Sequence, residues 1–149
     1  MMDYDIRHGR TYLYAKQTPR YPFGYGLSYA QFNYRNLKIS LHTLHAEQTA
    51  SVSFDVVNTG KRDGDEVAQL YVKHLDSKMD RLTEELKGFA RVRIAAASHQ
   101  RVTIPLPAST LRYWDEARHA FVLEPDRIEL RVGSNSQDIR LHRTIAILP

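Results

Sequence analysis

From Ala50 to Val56 the chain alternates strictly, with Ala50, Val52, Phe54 and Val56 apolar and Ser51, Ser53 and Asp55 polar between them. A period of two is what a strand with one buried and one wet face requires, and a helix would scatter these four apolar residues around its axis. The same period runs through Phe32, Tyr34, Leu37, Ile39 and Leu41, with one slip near Asn36 that a bulge would absorb. In the run Glu66–His74, Val67, Gln69, Tyr71 and Lys73 fall on one face and Ala68, Leu70, Val72 and His74 on the other.

Further β-rich runs span residues 86–94, 99–106, 120–123, 127–132 and 139–147. The Asn, Gly and Asp residues of segment 58–65 adopt turn conformations at low cost, and a polar loop covers 76–85. Pro107-Ala108-Ser109-Thr110-Leu111 reads as one helical turn with Ser109 as its N-cap. Many short strands without a long helix predict an all-β fold, an antiparallel two-sheet sandwich of the immunoglobulin or fibronectin type III kind.

The first 34 residues differ from this pattern. They hold seven of the nine tyrosines (Tyr4, Tyr12, Tyr14, Tyr21, Tyr25, Tyr29 and Tyr34), punctuated by Pro19, Pro22, Gly24 and Gly26. Neither periodicity survives there, so an extended strap over 1–28 leading into a sandwich over 29–149 is expected. Aromatic side chains offer much apolar area, so such a strap should lie against something. Its rings Tyr21, Phe23, Tyr25 and Tyr29, together with Trp114 later in the chain, are the candidate contacts for a ligand or a neighbouring domain.

With 149 residues, one domain plus a tail is the expected organisation. The 21 basic and 17 acidic residues are interspersed, which gives no clustered footprint for nucleic acid. The apolar runs fall far short of the roughly 20 residues that cross a bilayer, so no membrane partner is expected. The chain lacks cysteine, which removes disulfides, thiolate metal sites and a cysteine nucleophile. Its first residues, Met1-Met2-Asp3-Tyr4-Asp5, do not read as a signal peptide, so localisation stays open between a cytoplasmic product and a targeting signal further upstream.

Several strings carry a resemblance. Gly9-Arg10-Thr11-Tyr12, Tyr21-Pro22-Phe23-Gly24-Tyr25-Gly26-Leu27-Ser28-Tyr29, Val57-Asn58-Thr59-Gly60 and Gly64-Asp65-Glu66-Val67-Ala68-Gln69-Leu70-Tyr71-Val72 occur in that order. They are followed by Glu85-Leu86-Lys87-Gly88-Phe89, Tyr113-Trp114-Asp115, Leu123-Glu124-Pro125 and Val132-Gly133-Ser134-Asn135-Ser136. Together they resemble the C-terminal fibronectin type III-like domain of family 3 glycoside hydrolases, enzymes of the β-glucosidase and β-xylosidase kind. Two turns depart from that family. Asp126 stands where Gly usually follows Glu-Pro, which predicts a left-handed turn held by Asp, and Ala96-Ala97-Ser98-His99 replaces a commoner Pro-Gly turn, which predicts a looser loop.

The resemblance implies a retaining mechanism run by two carboxyl groups on an N-terminal barrel domain and a following α/β domain. Of these, residues 1 to about 20 resemble only the trailing edge of the second, so no catalytic residue is carried over and no cofactor or metal is implied. The expected role is structural: buttressing the catalytic domains of the parent hydrolase and lending a loop to the rim of its sugar site. The parent is then a periplasmic or secreted enzyme. Two alternatives remain open, a carbohydrate-binding module built on two or three coplanar exposed aromatics around Trp114, Tyr113 and Phe121, and a protein-interaction module. A strap stripped of its partner should fold back on the sandwich or self-associate.

Other groupings carry less. Asp115-Glu116 beside Trp114 reads as a solvated turn, because neighbours in an extended segment point to opposite sides. Asp63-Gly64-Asp65-Glu66 lacks the spaced ligands of a calcium loop, His42 and His45 lack a third ligand, and Gly24-Tyr25-Gly26 lacks the rest of a nucleotide fingerprint.

Overall fold

The computed structural model describes residues 19–149. Two sheets face each other. The first has the order β1-β3-β6, from Phe32–Ile39, Thr49–Asn58 and His99–Pro107. The second has the order β2-β10-β9-β4-β5, from Thr43–His45, Ile139–Leu148, Asp126–Gly133, Gly64–His74 and Glu85–Ile94. A small separate hairpin pairs β7 (Tyr113–Asp115) with β8 (Ala120–Val122). The all-β sandwich expected from the periodicity is therefore the fold.

Alternation decides what the sheets enclose. Val52, Phe54 and Val56 of β3 and Val102, Ile104 and Leu106 of β6 meet Leu70, Val72, Ile128, Leu130 and Val132 of the other sheet in one continuous core. Phe54 is fully buried and stacks on Tyr34 with ring centroids 5.8 Å apart. The slip near Asn36 is a bulge: the β1–β3 register shifts between Arg35 and Lys38, and Asn36 takes a φ of 59° that asparagine tolerates better than most residues. This one extra residue lets Phe32 and Tyr34 before it, and Leu37 and Ile39 after it, all pack toward the core.

The bulge also builds a polar clasp on the outer face. The Asn36 amide donates to Asp55 at 2.7 Å and Arg101 donates to the same carboxylate at 2.9 Å. These two donors, Arg101 first, hold the Asp55 carboxyl down at about 2. Asn58, fully buried, uses its amide to close the next turn, donating to Arg62 O and Ile94 O and accepting from the Gly60 N–H.

Four expectations need correction. β2 runs parallel to β10, so one pairing of the sandwich is not antiparallel, and it places His45 in a strand. Tyr113–Asp115 is strand β7, and the solvated turn expected at Asp115-Glu116 follows it, with the Asp115 carboxylate accepting the N–H groups of Ala117 and Arg118. Ser109 is not an N-cap: the turn is a 3₁₀ turn over Ala108–Leu111 capped at Pro107, with no side-chain cap bond. The Thr110 hydroxyl instead donates back to Pro107 O.

Asp126 does not hold a left-handed turn. It opens β9 as a strand residue opposite Ile147, and its buried carboxylate accepts from the Asp76 N–H and meets His74 Nδ1 at 2.6 Å. The segment around Ala97 is not loose either. Ser98 N–H donates to Ala95 O, Ala96 N–H donates to Asp63, and Ala97 carries a φ of 54°. That is the position a Pro-Gly turn gives to glycine, so here a Cβ is held where it is disfavoured.

Two predictions follow from these local geometries. Ala97→Gly relieves roughly 1–2 kcal/mol of left-handed strain and gives back about 0.4–1 kcal/mol of unfolded-chain entropy, so it should stabilise by about 0.5–1 kcal/mol in urea denaturation. An Ala97→Gly protein no more stable than the parent would show that the turn is not strained.

For Asp55, a folded-state value below the unfolded one means that its contribution is present above the unfolded carboxyl value, near pH 4, and is lost as pH falls through about 2. The stability gap between the wild type and Asp55→Asn should therefore be full at neutral pH and close between about pH 4 and pH 2. A gap that does not change with pH would rule out the ion-paired carboxylate as its source.

Candidate functional site

The strap rises from the sandwich at the end where β4, β9 and β10 begin or turn. Pro22–Tyr25 is a β-turn closed by Tyr25 N–H to Pro22 O at 3.0 Å, with Gly24 at a φ of 81°. A Cβ on Gly24 would meet Gln69 Oε1 at 2.2 Å, so glycine is required here by both conformation and space. Gln69, buried on the outer face of β4, donates its amide to Gly24 O and to Ser134 O and accepts from the Tyr71 hydroxyl at 2.6 Å. Ser136 N–H donates to Phe23 O at 3.0 Å. The strap is thus pinned largely through its backbone.

Its side chains are left outside. Tyr29 is 96% exposed, Leu27 90% and Tyr21 64%, while Phe23 and Tyr25 are each a little under half exposed. Tyr21 and Tyr25 rest on one another at 5.4 Å, and Arg20 lies over Tyr21. Large exposed apolar side chains gathered on one short segment, as here among the described residues, are the kind of surface that marks an interaction site. The string Gly9–Tyr12, with Tyr4, Tyr12 and Tyr14, lies outside the described residues.

Beside the strap opens a cleft of about 570 Å³ whose lining includes Tyr25, Gln31, Asn33, Glu66, Asp138 and Arg140. Glu66 accepts from the Tyr34 hydroxyl at 2.7 Å. Burial pushes the Glu66 carboxyl up, and Tyr34 and Arg140 bring it only part of the way back. Burial and the Glu66 carboxylate push the Tyr34 phenol up as well. Arg140 clamps Asp138 with Nε and Nη2, each at 2.6 Å, and donates from Nη1 to Phe32 O. This clamp, with the Ser134 hydroxyl, holds Asp138 below the usual carboxylate range. Both Asp138 oxygens therefore accept hydrogen bonds, Oδ1 from Arg140 and Oδ2 from Arg140 and Ser134.

Trp114 lies elsewhere, on the β7–β8 hairpin, half-exposed and edge-on to Phe121 at 5.3 Å and 73°. Tyr113 is covered by Arg81 at 4.7 Å. The three rings therefore do not form the coplanar platform that stacking on a polysaccharide would need. Arg81 belongs to the loop after β4, which Glu124 holds by accepting from Lys78 N–H, Ser77 and Arg81. Burial raises the Glu124 carboxyl, but those three donors outweigh it and keep it below its usual range.

The structure does not bring the other sequence candidates together. Asp63 accepts from Ala96 N–H, Asp65 pairs with Arg91 and Glu66 turns to Tyr34, so the three carboxylates diverge. His42 and His45 are both exposed beside or in β2, and no metal-ligating cluster occurs among the described residues.

Comparison with known proteins agrees with this architecture. The fibronectin type III-like domain pattern matches residues 66–136. Beta-glucosidase BoGH3A of Bacteroides ovatus is 34% identical over 131 residues, which is 88% of this chain and 18% of that protein. The chain carries the fibronectin type III-like domain of a family 3 glycoside hydrolase.

A beta-xylosidase of Formosa agariphila is 35% identical over 85% of the chain and 17% of its own length. The crystal structure of beta-glucosidase from Kluyveromyces marxianus in complex with glucose superposes with a TM-score of 0.84 at 31% identity, covering 93% of this chain and 16% of that one. This fibronectin type III-like chain therefore spans less than a fifth of these relatives.

Gln69 is the residue that sequence reading missed, because its alternation marks a face without saying what covers it. Gln69→Ala strips partners from Gly24 O and Ser134 O, so it should cost about 2 kcal/mol and speed chymotryptic cleavage after Phe23 and Tyr25. Cleavage at the parental rate would show that the strap is held by other contacts.

Proposed function

We propose that the chain is the non-catalytic accessory domain of a family 3 glycoside hydrolase, and that it seats and stabilises the catalytic domains of that enzyme. The observation that carries this reading is the strap: its backbone is fixed to β4 and the β9–β10 turn, while Tyr21, Tyr25 and Tyr29 turn outward. A ring fixed by its backbone and left wet suits a contact made with a second surface. Residues 1–28 would be the link from the preceding domain and 29–149 the sandwich. Trp114 and the ordered loop at 75–84 would form a separate contact, with the loop reaching toward the rim of the sugar site.

Without its partner domains the isolated chain has no hydrolytic role in this reading, and its uncovered strap drives self-association. Sedimentation velocity on the full chain should show concentration-dependent association that disappears when Tyr21, Leu27 and Tyr29 are all replaced by Ser. Monomers at every concentration, or association unchanged in the triple variant, would count against the strap as a docking surface. Chromogenic β-glucoside and β-xyloside should stay intact with the purified chain; turnover that copurifies with it would overturn the accessory role.

A further inference from the structure

His74 closes β4, and by alternation it falls on the inner side with Ala68, Leu70 and Val72. Its side chain is only 4% exposed, and its Nδ1 meets Oδ2 of the fully buried Asp126 side chain at 2.6 Å. Nε2 is buried as well and has no hydrogen-bond partner among the described residues. A buried nitrogen without a partner is costly, and the cost depends on whether it carries a proton.

The surroundings favour the neutral ring. With one proton, on Nδ1, His74 donates to Asp126 and leaves Nε2 an unfilled acceptor, the milder deficit. A second proton would make Nε2–H a buried donor at the end of a core into which β3 turns Ala50 and Val52 and β6 turns Val102, Ile104 and Leu106. The charged groups near the pair lie on β9 and on the segments beside it. Arg127, held by Asp76 at 2.5 and 3.1 Å, is close enough to Asp126 for that carboxylate to act on its guanidinium. The buried carboxylate thus has a counter-charge without an imidazolium. Glu124 is spent on Lys78 N–H, Ser77 and Arg81.

Asp126 also holds the start of the loop at 75–84. Its Oδ1 accepts from Asp76 N–H at 2.9 Å, beside the bond from Leu75 N–H to Arg127 O. His74 and Asp76 are two residues apart and share this carboxylate. A ring that turns outward to find water for a new N–H therefore takes the Asp76 amide with it. Histidine is the side chain whose charge ordinarily changes between about pH 8 and pH 5.

We propose that His74 is an acid-operated latch: neutral, it locks Leu75 and Asp76 to β9 through Asp126, and a proton on Nε2 frees them while Glu124 keeps the middle of the loop and the sandwich stays folded. Its use to a parent enzyme rests on this loop reaching the rim of the sugar site; the latch itself is a property of this chain.

The test is NMR of the full chain between about pH 8 and pH 5. At the upper end His74 should show one protonated and one unprotonated ring nitrogen, and toward the lower end two protonated ones. Exchange of the Asp76 amide, corrected for the intrinsic effect of pH, should quicken about tenfold over the same range, while the Leu130 amide in β9 keeps its protection. His74→Asn keeps a donor in the place of Nδ1 and has no proton to gain, so it should protect Asp76 equally at both ends.

A ring doubly protonated at the upper end, or singly protonated at the lower, would overturn the latch. So would equal Asp76 protection across the range, a pH response that survives in His74→Asn, or loss of Leu130 protection together with that of Asp76. If His74→Asn does not fold, the wild-type ring and amide signals decide alone. None of these readings involves the strap, so a failed latch leaves the docking result standing.

Discussion

Strand β4 is buried on both faces from Ala68 to Val72, and most of what distinguishes this sandwich is attached to it. Its inner side chains, Ala68, Leu70 and Val72, belong to the core. Its outer ones, Gln69 and Tyr71, take the backbone of the strap in place of solvent. At its start Glu66 enters the cleft, and at its end His74 meets Asp126, which also fixes the loop that follows. A substitution in β4 therefore reaches the strap, the cleft and the loop through direct contacts. Antiparallel sheets commonly leave one face wet, and on this sheet the strap and Glu84, set against Arg131, cover part of that face.

The same dependence explains why backbone groups, rather than rings, anchor the strap. A buried glutamine has to satisfy its amide, and the carbonyls of Gly24 and Ser134 are the nearest acceptors. Once these bonds fix the turn, the Tyr21 and Tyr25 rings are set in place before any partner arrives, and ordering them later costs less entropy. Preorganisation of this kind needs the one glycine that can adopt a φ of 81° against the amide.

Much of the fold was legible because it depends on period and on single residue types. The alternation of Ala50–Val56 located the core strand, and the slip at Asn36 located the bulge, since a two-residue period records any insertion. What depends on long-range partners was not legible. Nothing local to Thr43–His45 announces a parallel pairing with β10 about 100 residues later. Asp126 looked like a turn residue because its neighbours are Glu-Pro, whereas its partners, His74 and Asp76, lie some 50 residues away. Of the site, the exposed aromatics could be named from the sequence; the cleft could not, because Gln31, Asn33, Glu66 and Arg140 come from three separate stretches of chain.

The bulge in β1 has a further effect on how copies of this domain meet. β1 is an edge of the three-stranded sheet, and an open edge is a template on which another chain can add a strand. Here the register breaks halfway along, Arg35 and Lys38 project beside the break, and Arg140 already occupies the carbonyl of Phe32. A strand approaching this edge could pair only a few residues before losing phase, so β1 is a poor template for adding another chain. Contacts made at this edge are left to side chains, which separate again on dilution.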